Sequence, residues 1–171
     1  MFVLGHLGIT VGLAWLITWR WPEVQVDYRL ILVAALLPDL IDKPLGALLS
    51  LQARLWTHTL IFLAALALLS RLRPLRAFTW LAFGVAVHLT LDMIWFEPNV
   101  VLWPLYGWSF PAGTQSLGGY VRTLLTDAYV QFGEIVGASI LLLLGWRYRM
   151  FSGKAVRKFL RDGRLVEPSP G

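Results

Sequence analysis

Charge is nearly absent from five stretches of this chain: Phe2 to Trp19, Leu30 to Leu37 with a second part Leu45 to Leu51, Thr59 to Leu69, Ala77 to Phe96, and Tyr129 to Trp146. The first, fourth and fifth come close to the roughly 20 apolar residues that carry a helix across a bilayer. The second and third are short or broken, and a broken helix survives at membrane depth only where protein or a wet cavity covers its freed backbone groups. The pattern predicts an all-α, polytopic membrane bundle with about four to five membrane segments, one or two of them short or broken. It also predicts a buried polar pocket around residues 38 to 58.

Composition supports the membrane class: of 171 residues, 57% are hydrophobic and 15% charged, with a mean hydropathy of +0.65. The tryptophans gather at segment ends, as at Trp15, Trp19 and Trp21 or Trp103 and Trp108, where an interfacial belt places them. The start of the chain lacks a basic leader and a small-residue cleavage pattern, so it reads as a retained helix rather than a signal peptide. Cysteine is absent, which removes disulfides and thiolate ligands from consideration. No internal repeat is evident, and the expected organisation is a membrane domain over residues 1–150 followed by a basic tail, 151–171.

The 15 Lys and Arg residues set an orientation. Arg20, Arg29, Arg71, Arg73, Arg76, Arg147, Arg149, Lys154, Arg157, Lys158, Arg161 and Arg164 fall on one side of the expected bundle, and only Lys43, Arg54 and Arg122 on the other. The excess of positive charge on cytoplasmic loops then puts the tail in the cytoplasm and the N-terminus outside, in the inner membrane of the cell. The net charge of +5 reports that topology, with anionic lipid as a further partner at the tail. Nucleic-acid binding would need a basic face with interleaved aromatics on a soluble element, and none is seen.

Against this apolar background the ionisable residues stand out, because such groups are costly at membrane depth and usually functional. All three histidines, His6, His58 and His88, lie in or beside the apolar runs, with Asp39, Asp42, Asp92 and Glu134. In the expected topology they come to one level near the outer leaflet. Each has an ordinary reading. His88 and Asp92, four apart, share a helix face that suits either a shared ion or an intrahelical hydrogen bond. His6 alone is better explained as a hydrogen-bonded helix residue, Asp39 and Asp42 as caps after Pro38 with Lys43 as counter-ion, and His58 as an interfacial residue beside Trp56. For Glu134, pairing with Arg122 or a bond across helices outweighs a catalytic role. Convergence at one depth is what favours a site.

Imidazoles and carboxylates without thiolates suit zinc, manganese or ferrous iron. Six candidate ligands, His6, Asp39, Asp42, His58, His88 and Asp92, exceed the needs of one zinc, and two ions bridged by Asp92 would use them. Water near such ions ionises close to neutral pH, and paired metals stabilise the leaving oxygen of a phosphoester. Arg54, four residues before His58 and on the same face if the helix extends back that far, could hold a phosphate oxygen, with Lys43 adding charge.

The order GHLG with His6, LLPDLIDKP with Asp39 and Asp42, RLWTHTL with Arg54 and His58, HLTLD with His88 and Asp92, then Trp103-Pro104, resembles the YdjM-like family of LexA-regulated, membrane-bound, metal-dependent hydrolases. The resemblance spans roughly residues 5 to 110. It implies a relationship to the zinc-dependent phospholipase C and fungal single-strand nuclease superfamily, whose ligand roles would fall on His6, an aspartate of the Asp39/Asp42 pair, His58, His88 and Asp92. The relatives with three zinc ions have further histidines, and a total of three here stands against a full trinuclear site; two departures from the family pattern also matter. The aspartates are separated by two residues and followed by Lys43, where the family often has one residue between them and a histidine after. The histidine often found before the arginine is replaced by Ala53.

The function expected is hydrolysis of a phosphoester in a lipid or lipid-linked headgroup by metal-activated water, using one or two zinc ions. The loop Glu97 to Asp127 would be an interfacial lid or headgroup reader, or a plain surface connection. The competing classes are a transporter or metal-handling protein, since ionisable residues also mark ion pathways, and a structural protein whose metal clamps helices. Oligomeric state leaves no trace in the sequence.

Overall fold

A computed structural model describes residues 1–113 and 116–165, and of Leu117 the backbone alone. Thr114 and Gln115 of the expected lid loop, and residues 166–171 of the expected tail, lie outside that description. The described residues are all-α, with an isolated bridge between Leu51 and Ala112 as their extended pairing.

In chain order the helices are α1 (Val3–Arg20), α2 (Tyr28–Leu49), α3 (Leu60–Leu69), α4 (Phe78–Leu91), α5 (Pro98–Val101), α6 (Leu117–Thr126), α7 (Ala128–Arg147) and α8 (Gly153–Asp162). Small polar residues start several of them by accepting an otherwise orphaned backbone N–H: Thr59 from Phe62, Ser116 from Gly119 and Asp127 from Val130. Asp27 accepts from the Arg29 backbone at the start of α2, and the Arg29 guanidinium, donating back to it, holds its carboxyl below the usual carboxylate range.

Two of the expected segments take another form. The second, expected in two parts, is one helix of 22 residues running through Pro38 and Pro44. The prolines interrupt its hydrogen-bond ladder without ending it, and side chains from elsewhere reach two carbonyls of the same stretch. His88 Nδ1 lies 2.8 Å from Ala35 O, and Thr57 Oγ1 donates to Pro38 O at 3.1 Å. The fourth, expected to run to Phe96, ends as an α-helix at Leu91. Met93 takes the left-handed conformation at φ 50°, which an α-helix excludes, and a tight 3-10 turn, Ile94–Phe96, follows.

Among the described helices, α1 and α7 are long and apolar enough to cross a membrane. Only 22% of the α7 window is buried inside the protein, so its apolar side chains mostly face outward, as lipid-exposed residues do and the core helix of a soluble protein does not. α2 is longer but carries Arg29, Asp39, Asp42 and Lys43, while α3 and α4 are shorter.

Two apolar cores flank a polar middle. One, with Val11, Tyr28, Ile31, Leu144 and Phe159, joins α1, α2, α7 and α8; the other, with Leu55, Leu66, Val85, Val100 and Phe110, joins α3, α4, α5 and the segments around them. His6, Asp42, His58 and His88 are fully buried between them. Backbones meet where α1 crosses α7: a Cβ on Gly8 would strike the Gly137 carbonyl, and one on Gly137 would strike Leu4 and Gly5. Small residues at such a crossing allow the close approach that stabilises helix pairs in lipid. Gly8→Val should therefore cost at least about 2 kcal/mol through overpacking. Gly118→Ala, where a Cβ meets open space, should change stability by less than about 1 kcal/mol. Thermal unfolding of the detergent-purified variants checks both.

Candidate metal centre

The centre is assembled from the interrupted part of α2, the loop before α3 and the end of α4. One ligand atom each from Asp39, His58, His88 and Asp92 lies within 4.8 Å of all the others. The two imidazoles reach it in the same way, each with Nδ1 tied back. His58 Nδ1 is 2.7 Å from Asp42 Oδ2, and His88 Nδ1 is 2.8 Å from the Ala35 carbonyl. Both partners are acceptors, so each Nδ1 donates and each Nε2 is left facing the group. Those two Nε2 atoms are 3.3 Å apart. At that distance the two nitrogens need a positive centre between them, either a proton held as a hydrogen bond or a metal cation.

Distances support the fit. Ligands at about 2.0–2.1 Å from a tetrahedral zinc sit about 3.3 Å from one another, which the imidazole pair already matches. Asp39 Oδ1 lies 3.8 and 3.9 Å from the two Nε2 atoms, and Asp92 Oδ2 3.9 and 4.0 Å, so each carboxylate stands about half an ångström too far from the imidazoles, and all four atoms lie within 4.8 Å of one another. Two nitrogens and two carboxylate oxygens are a donor set for zinc, manganese or ferrous iron.

The other expected ligands stand outside this group of four. Asp42 lies behind His58: its carboxylate accepts from the backbone N–H of Leu55 at 2.8 Å and of Thr57 at 3.1 Å as well as facing His58 Nδ1. It orients a ligand instead of serving as one. His6 stacks on His88 with ring centroids 4.0 Å apart. Its Nε2 faces Asp92 Oδ1 at 3.1 Å, while its Nδ1 has no hydrogen-bond partner among the described residues. Nε2 is thus set beside a carboxylate oxygen, where either a proton or a metal ion would join the two. The Met1 amine also reaches Asp92 Oδ1, at 2.8 Å. Asp92 thus turns one oxygen to the group of four and the other to His6.

Glu134 is directed away from this chemistry. Its two oxygens accept from the backbone N–H groups of Phe2, Leu4 and Gly5 at 2.8–3.0 Å, so it satisfies the orphaned donors at the start of α1 and opposes the positive end of that helix. Arg54 arrives by a loop, since the ordered turn before α3 begins only at Trp56. Its Nε and Nη2 each lie 3.1 Å from Asp92 Oδ2, while Nη1 pairs with Glu97. Glu97 escaped the sequence reading: an acid just past an apolar run, 43 residues from Arg54, carries no local signal of its partner. Lys43 pairs with Asp39 at 2.6 Å and lies over the Tyr120 ring of α6, 5.5 Å from its centre.

These cations open onto a cavity of about 370 Å³ whose wall includes Asp39, Lys43, Arg54, Asp92, Glu97 and Tyr120. Tyr120 and Thr123 bring α6 over it, while Val121 and Leu125, turned away from that side of the helix, are exposed.

Apolar helices largely exposed along their length, closing around buried imidazoles and carboxylates, define an α-helical membrane protein with a candidate metal centre. The chain matches the family described as YdjM inner membrane protein over residues 1–158, and it belongs to that family. Neither the curated proteins nor the solved structures contain a match to it.

The hydrogen bonds predict that Asp42 and Asp39 differ in kind. In metal-free protein Asp42→Ala should cost about 3 kcal/mol or more, because it strands two buried N–H groups and the His58 ring. Asp39→Ala, losing one partly buried ion pair and no backbone N–H partner, should cost less, about 1 kcal/mol. Thermal unfolding in the presence of a chelator measures both; equal costs would contradict the division of roles.

Proposed function

We propose that this chain is a membrane-embedded, metal-dependent hydrolase acting on a phosphoester in a lipid or lipid-linked headgroup. The observation that carries the reading is the pair of His58 and His88 Nε2 atoms, 3.3 Å apart with both Nδ1 atoms committed elsewhere, beside a cavity lined by Lys43 and Arg54. Asp39, His58, His88 and Asp92 would hold one ion, zinc being the best match to the donors with manganese or ferrous iron as substitutes. His6 with the second oxygen of Asp92 offers a place for another. When bound, the metal would supply Lewis acidity and a water that ionises near neutral pH.

The remaining steps belong to the chain. Asp42 and the Ala35 carbonyl fix the two imidazoles, so that the ligand lone pairs need no reorganisation. Lys43 and Arg54 give the cavity wall the positive charge that draws a phosphate in. The Arg54 fork is shared between Asp92 and Glu97, so a phosphate oxygen reaching it takes the place of the Glu97 carboxylate and leaves the grip on Asp92 intact. The α6 helix, polar toward the cavity and apolar outward, suits an interfacial wall beside a lipid headgroup. In this reading α1, α2, α4 and α7 are the membrane segments with α3 as a short fifth. The site then opens to the outer face and the C-terminal end lies in the cytoplasm.

The test joins metal content to activity. Purified protein should retain a transition metal, and Asp92→Ala should lose most of it. Arg54→Lys should keep metal and thermal stability yet lose about thirtyfold in phosphoesterase activity, on the order of 2 kcal/mol, since an ammonium cannot reproduce a two-pronged contact. Wild-type protein that hydrolyses no phosphoester with zinc, manganese or iron would overturn the hydrolase, leaving a metal carrier or a helix clamp. Because the chain has no cysteine, single labels give the orientation cleanly. A thiol reagent that cannot cross membranes should reach Gly118→Cys from outside and Lys154→Cys only from the cytoplasmic side; the reverse would overturn the topology.

A further inference from the structure

The second charged feature of the molecule lies at the opposite end of the chain from the metal centre and takes no part in it. Lys154, Arg157, Lys158 and Arg161 are spaced i, i+3, i+4 and i+7, which places all four on an arc of about 100° along α8. All four are exposed. Arg161 pairs with Asp162 at 2.7 Å, and Ser152 and Gly153 complete the groove that the four cations line. Like charges so spaced repel one another and weaken the helix that carries them.

That helix is nevertheless held in place. Phe159, on the face opposite the cations, is buried in the core with Val26, Tyr28 and Tyr148. The Arg29 guanidinium donates to the Leu160 and Arg161 carbonyls at 2.8 and 3.0 Å, and the Tyr28 N–H donates to Gly163 O at 2.8 Å. Gly163, at φ +67°, closes the helix in a left-handed conformation. Positive charge that served only to orient the chain during insertion could sit on any disordered tail. Here it is fixed in one plane.

Beside the groove are large apolar side chains turned outward. Phe151 is 74% exposed, Trp146 76% and Leu160 61%, and Trp146 and Phe151 share with the basic groove its residue Ser152. The exposed rings lie at the margin of the groove and none lies among the cations, so base stacking is not interleaved with the positive charges.

We propose that α8 is a docking surface for anionic phospholipid, the four cations binding headgroup phosphates while Trp146, Phe151 and Leu160 enter the acyl boundary. A basic arc with an apolar margin is the pattern of a helix lying at a charged bilayer surface. The partner is already present in the membrane that holds α1 and α7.

The experiment is amide hydrogen exchange of residues 153–162 in the full-length protein. The protein is placed in nanodiscs of phosphatidylcholine alone or with roughly a third of phosphatidylglycerol. Exchange should slow about tenfold with phosphatidylglycerol, and the difference should vanish near 1 M salt, where charges are screened beyond about 3 Å. The variant with Lys154, Arg157, Lys158 and Arg161 all replaced by Gln, a good helix former, should exchange at one rate in both lipids. Equal wild-type rates in the two lipids would overturn the proposal, as would a phosphatidylglycerol effect that survives 1 M salt or persists in the variant. So would protection by a single-stranded RNA oligonucleotide in neutral discs that exceeds the protection by phosphatidylglycerol. If the variant does not fold, the wild-type salt titration decides alone.

Discussion

The buried carboxylate of Asp42 holds this structure to its shape. A charge without exposure to solvent is tolerated only when its lone pairs are taken up, and Asp42 collects the N–H groups of Leu55 and Thr57 and the His58 ring. In doing so it binds the loop after α2 back against the middle of α2. The loop carries Arg54 and His58 toward Asp39 and Asp92. One desolvated acid thereby turns a proline-interrupted helix and an irregular loop into a rigid frame.

The ligand group draws on departures from regular structure. Pro38 interrupts the α2 ladder, and a carbonyl three residues before it becomes the anchor of His88. Asp92 stands where α4 gives way to a left-handed residue, and His58 closes a 3-10 turn. Such features would be liabilities in contact with lipid. Enclosed by protein they leave polar groups at fixed angles, which is what ion binding requires.

The apolar helices and four of the six expected ligand residues were legible in the sequence, whereas α6 and α8, with no charge-free run, fell inside the expected loop and tail. Runs free of charge mark helices whatever they pack against, and His58, His88 and Asp92 are conspicuous in such runs. What the sequence hid was direction. Asp39 and Asp42 sit three residues apart on one helix, yet one faces the ligand group and the other the back of an imidazole, and only the loop at residues 55–58 separates their roles. The two oxygens of Glu134 turn to the start of α1, 130 residues away, and Arg54 meets Glu97 across 43. Helix length was equally hidden: the hydropathy of Met93 to Phe96 continues that of α4, and only the backbone turn at Met93 ends it.

The crossing of α1 and α7 has a bearing on how the protein is made. Gly8 meets Gly137, and Glu134 secures the N–H groups just before His6. These partners lie some 130 residues apart, so translation must pass residue 137 before the surroundings of His6 can close. Until then the nascent chain holds α2 and α4 with an unfinished polar centre, and a ribosome that stops early releases a bundle unable to complete it. The last long helix therefore completes the surroundings of His6, and a product that ends before it leaves the N–H groups of Phe2, Leu4 and Gly5 without their acceptor.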